Sequence, residues 1–330
     1  MAVKQALLAL LEARRGAYLS GEEAAGRLGV SRAAVWKAVR ALRADGYAID
    51  AATNRGYRLA PEADVLSAAG VQKYLGPACA ALRLRVLEET PSTNALLREE
   101  AAAGAPEGTV LIAARQTAGR GRLGRSFYSP AGTGVYLSLL LRPAHLAPER
   151  AVRVTTMAAV AMCEAVEQVS GRAAAVKWVN DVFVGGKKVC GILTEGSFGM
   201  EDGRLEYLVL GVGMNAYEPA GGFPADIAGV AGAIYEAPQP DGKNRLAAAF
   251  LNRFMALWAA PEESAYAREY RRRSFVLGRR VTVLSREGTR SALALDVDEE
   301  CRLVVRYDDG TLGRLSSGEI SVRPEREEPV

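Results

Sequence analysis

Seven consecutive residues, Gly119-Arg120-Gly121-Arg122-Leu123-Gly124-Arg125, combine three glycines with three arginines. Glycine lets backbone approach a ligand closely, and arginine offers a planar fork of donors to an oxyanion. No acidic residue lies between Glu107 and Glu149, so this stretch has no local counter-charge. A ligand phosphate or carboxylate is the expected partner; a solvated basic loop is the alternative. The lysine and hydroxyl of a Walker loop do not follow, and no helix pattern follows directly as in a dinucleotide fingerprint.

Other groups could work with it. Ser92-Thr93-Asn94 sits at a strand-to-helix junction, where two hydroxyls and an amide could bond a polar head group such as a ureido or carbonyl. Helix capping uses the same residue types. Gln116, just before the basic loop, is another neutral donor and acceptor. Lys177, Asn180 and Asp181 flank Trp178 in a strand-like segment, where the lysine and carboxylate either pair or serve a ligand. Lys187 and Lys188 adjoin a Gly185-Gly186 turn and project to opposite sides of the pleat, so one can enter a site while the other is solvated. Gly191 and Gly211-Val-Gly213 mark places where backbone meets a ligand or bends sharply. The single histidine, His145, lies in a proline-bracketed loop and reads as a surface residue. Cys79, Cys163, Cys190 and Cys301 are scattered without CxxC spacing, so no dedicated metal site is expected, and reduced thiols suit a cytoplasmic location.

The elements that must position these groups fall into three parts. The chain has 330 residues, 49% of them hydrophobic and 24% charged, as in a soluble globular protein of two or three domains. Neither an export signal nor a membrane span is expected. Residues 1–60 hold ten basic against five acidic residues, which leaves the other 270 at −1. A basic head on a near-neutral body suggests nucleic acid at the head. Apolar spacing predicts a helix over 3–15, then Ser20 and Glu23 predict a capping box over a helix at 21–28. Ser31 caps a third helix, 32–44, which Gly46 ends. Segments 47–50 and 56–59 form a two-stranded wing. This is a winged helix-turn-helix, with Ser31, Arg32, Trp36, Lys37, Arg40 and Arg55 expected at DNA. Arg43 shares that basic face, and an ordinary bundle with a solvated basic face is the alternative.

Residues 61–64 read as a linker. The body alternates strands and helices in an α+β manner: strands at 83–87, 108–114, 134–141, 182–184, 189–195 and 205–213, and helices at 95–103, 151–169, 245–258 and 262–273. The tail turns to short strands at 279–284, 292–297, 303–307, 312–315 and 320–322, at small-barrel spacing. The expected domains are therefore 1–61, 62–273 and 274–330.

Five motifs in this order resemble biotin–protein ligases: Ser92-Thr-Asn94, Gln116 with the 119–125 loop, Lys177-Trp-Val-Asn-Asp181, Gly186-Lys-Lys-Val-Cys-Gly-Ile-Leu-Thr-Glu195 and Gly211-Val-Gly-Met-Asn215. Ser31-Arg-Ala-Ala-Val-Trp-Lys37 and Gly318-Glu-Ile-Ser-Val-Arg323 extend the resemblance to the bifunctional ligase/biotin operon repressor type, over nearly the whole chain. It implies a central biotin/lipoate-ligase-like α+β domain with a mixed sheet, and a small SH3-like β-barrel at the C-terminus. It also implies that biotin and ATP give biotinyl-5′-AMP, and that the biotinyl group passes to a lysine of a carboxyl carrier protein, with Mg²⁺ accompanying ATP and no protein-only cage.

By the same resemblance, Arg120, Arg122, Lys188 and Asp181 are catalytic, Asp181 positioning or deprotonating the acceptor lysine. Ser92, Thr93, Asn94, Gln116, Gly119, Gly121 and Gly191 join Arg120, Arg122 and Lys188 around biotin. Arg125, Phe127, Lys177, Asn180, Asn215 and Arg323 join Arg120 and Arg122 around the adenylate. A homodimer in the adenylate-bound state, operator DNA and no membrane complete the implied partners. Two departures stand out: Val179 replaces a customary proline, and Phe127 replaces a tryptophan, implying weaker stacking. A winged-helix repressor that binds biotin only as effector, and a lipoate ligase or octanoyltransferase, are the competing readings.

Overall fold

The computed structural model describes residues 3–143, 152–198, 205–259, 263–285, 288–316 and 321–324, so His145 lies outside the described residues. In the head, α1 (Val3–Ala13), α2 (Gly21–Leu28) and α3 (Arg32–Ala44) close around Leu7, Leu11, Val35, Val39 and Leu42. Ser20 caps α2 by accepting from the Glu23 amide at 3.0 Å. The Glu23 carboxylate takes Arg14 and Arg27, each at 2.8 Å, so the expected capping box is only half built. Gly29 turns the chain in the left-handed region (φ 64°) and Ser31 caps α3. The wing, β1 (Ile49–Ala52) against β2 (Gly56–Leu59), starts two residues later than the spacing predicts. Tyr47 is still bonded to Leu42 O at the helix end and fills the head's core.

The stretch expected as a linker is docked. Ala63 O accepts from Arg15, while Asp64 accepts from Tyr217 Oη at 2.6 Å and from the Lys243 amide at 2.9 Å. Beside it Glu12 and Arg15 of α1 meet Lys73 and Asp241 of the body, with Lys73–Glu12 at 2.6 Å and Arg15–Asp241 at 2.7 Å. Glu12 is 3% and Asp241 2% exposed, so neither carboxylate could stay ionised there without its cations.

The body is a seven-stranded mixed sheet in the order β3-β4-β5-β9-β8-β7-β6. Its strands are β3 (Arg83–Leu87), β4 (Thr109–Ala113), β5 (Gly134–Leu141), β6 (Ala174–Lys177), β7 (Asp181–Val184), β8 (Lys187–Phe198) and β9 (Leu205–Asn215). Only β3 and β4 pair in parallel. Every β5 residue is buried, which is why its sequence is a continuous apolar run rather than an alternation. The short helix α4 (Ala68–Gln72), absent from the sequence reading, starts the body; α5 (Thr93–Ala102), α6 (Val152–Ser170), α7 (Gly242–Trp258) and α8 (Glu263–Arg273) follow.

The tail is a five-stranded antiparallel sheet, order β13-β12-β11-β10-β14. Its strands are β10 (Arg280–Ser285), β11 (Gly288–Val297), β12 (Leu303–Tyr307), β13 (Leu312–Leu315) and β14 (Ser321–Pro324). Its buried Val281, Ala292, Leu303 and Val305 are continuous with the body's core, whereas the head encloses a core of its own. One polar tie crosses this seam: Trp178 Nε1 donates to Cys301 O at 3.0 Å.

Candidate active site

A cavity of about 170 Å³ lies among the start of α5, the basic loop, the β6–β7 turn and the middles of β8 and β9. Two sets of polar side chains face into it. The first is neutral. Ser92 is the N-cap of α5, its hydroxyl oxygen accepting from the Ala95 amide. Gln116 Oε1 accepts from the Thr93 amide at 2.8 Å and Thr93 Oγ1 at 3.1 Å, while its Nε2 donates to Ser129. The two readings of Ser92 therefore coexist: it caps the helix and lines the cavity. Asn94 lines the cavity too, but its amide group donates to Leu193 O and Glu195 Oε2, and Ser138 donates to its oxygen. Its hydrogen-bonding capacity is spent chiefly on protein.

The second set is charged. Arg120, Arg122, Arg125, Lys177 and Lys188 line the cavity against one carboxylate, Asp181. The loop is folded inward by Gly121 N to Arg125 O and Phe127 N to Gly119 O, with a single 3₁₀ turn over 122–124 whose tip, Leu123, is left-handed (φ 57°). Arg122 donates to Asn180 Oδ1 at 3.2 Å, and Asn180 is itself held by Ile192 O. Burial pulls the Arg122 pKa down, and the Asp181 charge partly offsets this. Lys188 Nζ stands 2.7 Å from Asp181 Oδ1. That approach is too poorly aligned for a hydrogen bond, so a buried carboxylate oxygen keeps a coulombic partner but lacks a donor. Lys188, not Lys177, is the ion-pair partner of Asp181. Of the hairpin lysines, Lys188 turns inward, while exposed Lys187 clasps Ala228 O and Gly229 O rather than standing free in solvent.

The glycines serve the protein as much as a ligand. Gly191 and Gly213 are cross-strand partners, and a Cβ on Gly213 would meet the Phe127 ring at 2.4 Å. Together they make a flat seat for Phe127, which meets Tyr136 edge-on. Gly211 leaves room for Asn94, and Gly119 for Ser129 and the Phe127 carbonyl. Gly119 and Asn215 do not line the cavity; Asn215 holds Gly232 O at 3.1 Å. Arg323 pairs with Thr282 on β14, and its side chain lies outside the described residues. The sequence reading missed Tyr136 and Leu137 in the lining and Ser138 behind it; a lone serine in a wholly apolar strand was the available signal.

A second concavity lies between α2, α3 and the wing, lined by Arg32, Trp36 and Asn54 among others. Trp36 is 50% exposed with Arg40 stacked on it at 4.8 Å, and Lys37 is exposed beside them. Arg55 on the wing stacks over Tyr18 at 4.2 Å. Arg43 leaves this face, since its guanidinium is bonded to Ile49 O.

Three models of known families cover this architecture in order: an HTH domain over 3–58, the Biotin/lipoate A/B protein ligase family over 86–215, and the Biotin protein ligase C terminal domain over 276–323. The bifunctional ligase/repressor BirA of Bacillus subtilis is 34% identical over 235 residues, 71% of each chain. The biotin–[acetyl-CoA-carboxylase] ligase of Mycobacterium tuberculosis is 32% identical over 248 residues, 72% of this chain and 88% of that one. Among solved structures, the Aquifex aeolicus biotin protein ligase in complex with biotin and ATP superposes with a TM-score of 0.62 at 28% identity, covering 74% of this chain and 99% of that one.

Proposed function

Because the chain belongs to the biotin protein ligase family, in its bifunctional ligase/repressor form, we propose that the cavity joins biotin to ATP and then to an acceptor lysine. The observation that carries this reading is the meeting, in one cavity, of a neutral hydroxyl-and-amide set with a cationic set that outnumbers its single carboxylate. The first set suits an uncharged polar ring. The second suits a carboxylate brought against a triphosphate, where negative charge builds at the transition state.

In the first step a biotin carboxylate oxygen attacks the α-phosphorus of ATP. The P–O bond to pyrophosphate breaks, leaving biotinyl-5′-AMP. Arg122 and Lys188 bind the carboxylate and phosphate oxygens, Arg120 and Arg125 closing over them; Lys177, Asn180 and Phe127 border the adenylate. Mg²⁺ arrives on the phosphates of ATP, since the lining offers one carboxylate and the described residues hold no cluster of metal-ligating side chains. In the second step the acceptor lysine's amine attacks the acyl carbon and AMP leaves. Asp181 Oδ1, which lacks an aligned donor, accepts a hydrogen from that amine. The partners are a biotin carboxyl carrier protein at the cavity and operator DNA at α3 and the wing, read by a homodimer of the adenylate-bound form. No helix among the described residues is long and apolar enough to cross a membrane.

Biotin-dependent ATP–pyrophosphate exchange, with lipoate as control, tests the reading. Exchange with biotin that is lost in Arg122→Ala supports it. Tight biotin binding without exchange would favour an effector-only repressor, and exchange with lipoate would overturn the substrate.

A further inference from the structure

Glu195 closes the fourth motif but does not touch the cavity. Its Oε2 accepts from Asn94 Nδ2 at 2.8 Å and its Oε1 from Arg98 NH1 at 3.0 Å. A carboxylate held this way only accepts, and so does Leu193 O, the other partner of the Asn94 amide. The Asn94 amide therefore points its hydrogens at β8 and its oxygen at Ser138, 2.6 Å away. That oxygen carries no hydrogen, so the Ser138 hydroxyl must donate to it. Thr93 Oγ1 lies 2.8 Å from Ser138 Oγ and 3.1 Å from Gln116 Oε1, another atom without a hydrogen. Whichever of the two it serves, the Thr93 hydrogen is turned into the protein. Thr93 is thus left with a lone pair for the cavity. Ser92, whose oxygen accepts from Ala95 N, keeps its own hydrogen for a ligand acceptor.

We infer that Glu195 is a specificity-determining positioning residue: acting through Asn94 and Ser138, it sets Thr93 as acceptor beside Ser92 as donor. That pattern selects a ring that presents an N–H next to a carbonyl, the pattern of a cyclic urea. The inference rests on the ligase reading and adds a residue outside the cavity that chooses the head group. Chains of hydrogen bonds polarise one another, so a fixed acceptor at one end orders the direction of the rest. Arg98 shares the same carboxylate from an exposed position and is not part of the relay.

The test uses the full chain, with biotin Kd from titration calorimetry and steady-state exchange kinetics. Glu195→Leu leaves the Asn94 amide short of an acceptor in a buried site. Biotin Kd and KM should rise about ten- to a hundred-fold, with kcat at saturating biotin and the KM for ATP within about three-fold of wild type. Arg98→Met should change none of these. Glu195→Gln has a single carbonyl to share between Asn94 and Arg98 and should weaken biotin partially. Glu195→Gln with Arg98→Met frees that carbonyl for Asn94 and should restore affinity, which a merely structural role for Glu195 does not predict. Desthiobiotin, which keeps the urea but lacks the sulfur ring, should weaken in parallel with biotin. Unchanged biotin Kd in Glu195→Leu, equal losses for biotin and ATP, no rescue in the double variant, or an effect confined to biotin would each overturn the inference. Wild-type chain that binds biotin without exchange would sink the ligase reading alone, because the Kd arm still reports on Glu195; a wild type that binds no biotin sinks both.

Discussion

The docking seam beneath the head and the ligand cavity both gather charge away from water, but they close their accounts differently. At the seam, Glu12 and Asp241 meet Arg15 and Lys73, two of each sign, each carboxylate touching both cations. In the cavity five cationic side chains face Asp181, and even its contact with Lys188 is poorly aligned. A balanced buried cluster holds structure together and asks nothing of a ligand. An unbalanced one binds, because the missing charge must arrive from outside.

The contrast breaks most sharply at the seam. Asp241→Ala strands Arg15 and Lys73, and the denaturant midpoint should fall by the equivalent of about 3–5 kcal/mol, while exchange per folded molecule stays within a few-fold. Removing a cavity charge should do the reverse. Arg122→Ala should cost about 10²–10³ in exchange rate, roughly 2.7–4 kcal/mol of transition-state stabilisation, with little change in the midpoint. Equal stability losses in both variants would erase the distinction. Trp178→Phe removes the indole donor to Cys301 O, and about 1 kcal/mol of stability should go with it. The smallest effect belongs to solvated pairs such as Arg290–Asp309, 2.8 Å apart and half exposed, where Arg290→Ala should shift stability by under about 1 kcal/mol.

The sequence was informative wherever a physical rule acts locally. Caps at Ser20 and Ser31, the left-handed turn at Gly29, the wing and the mixed sheet all follow from short-range chemistry and apolar spacing. Most of the cavity's polar lining was legible because arginines without counter-charge, and hydroxyls at a strand-to-helix junction, have few structural uses. What escaped depends on residues distant in the chain. Residues 61–64 look like a linker until Arg15, Tyr217 and Lys243 close on them. Asn94 reads as a ligand group until Glu195, 101 positions later, takes its amide. Gly191 and Gly213 read as ligand contacts, yet they also seat Phe127, a side chain supplied by the chain itself.

The tie from Trp178 to Cys301 has a consequence for how the protein is made. The head carries its own core and can close as soon as the first sixty or so residues have emerged from the ribosome. The cavity wall at Trp178 waits for the β11–β12 hairpin, more than 120 residues further along, to bring its carbonyl into place. During synthesis there is thus a long interval in which the DNA-facing helices are finished and the chemistry is not. A nascent chain stalled in that interval would carry a recognition helix without a completed site behind it.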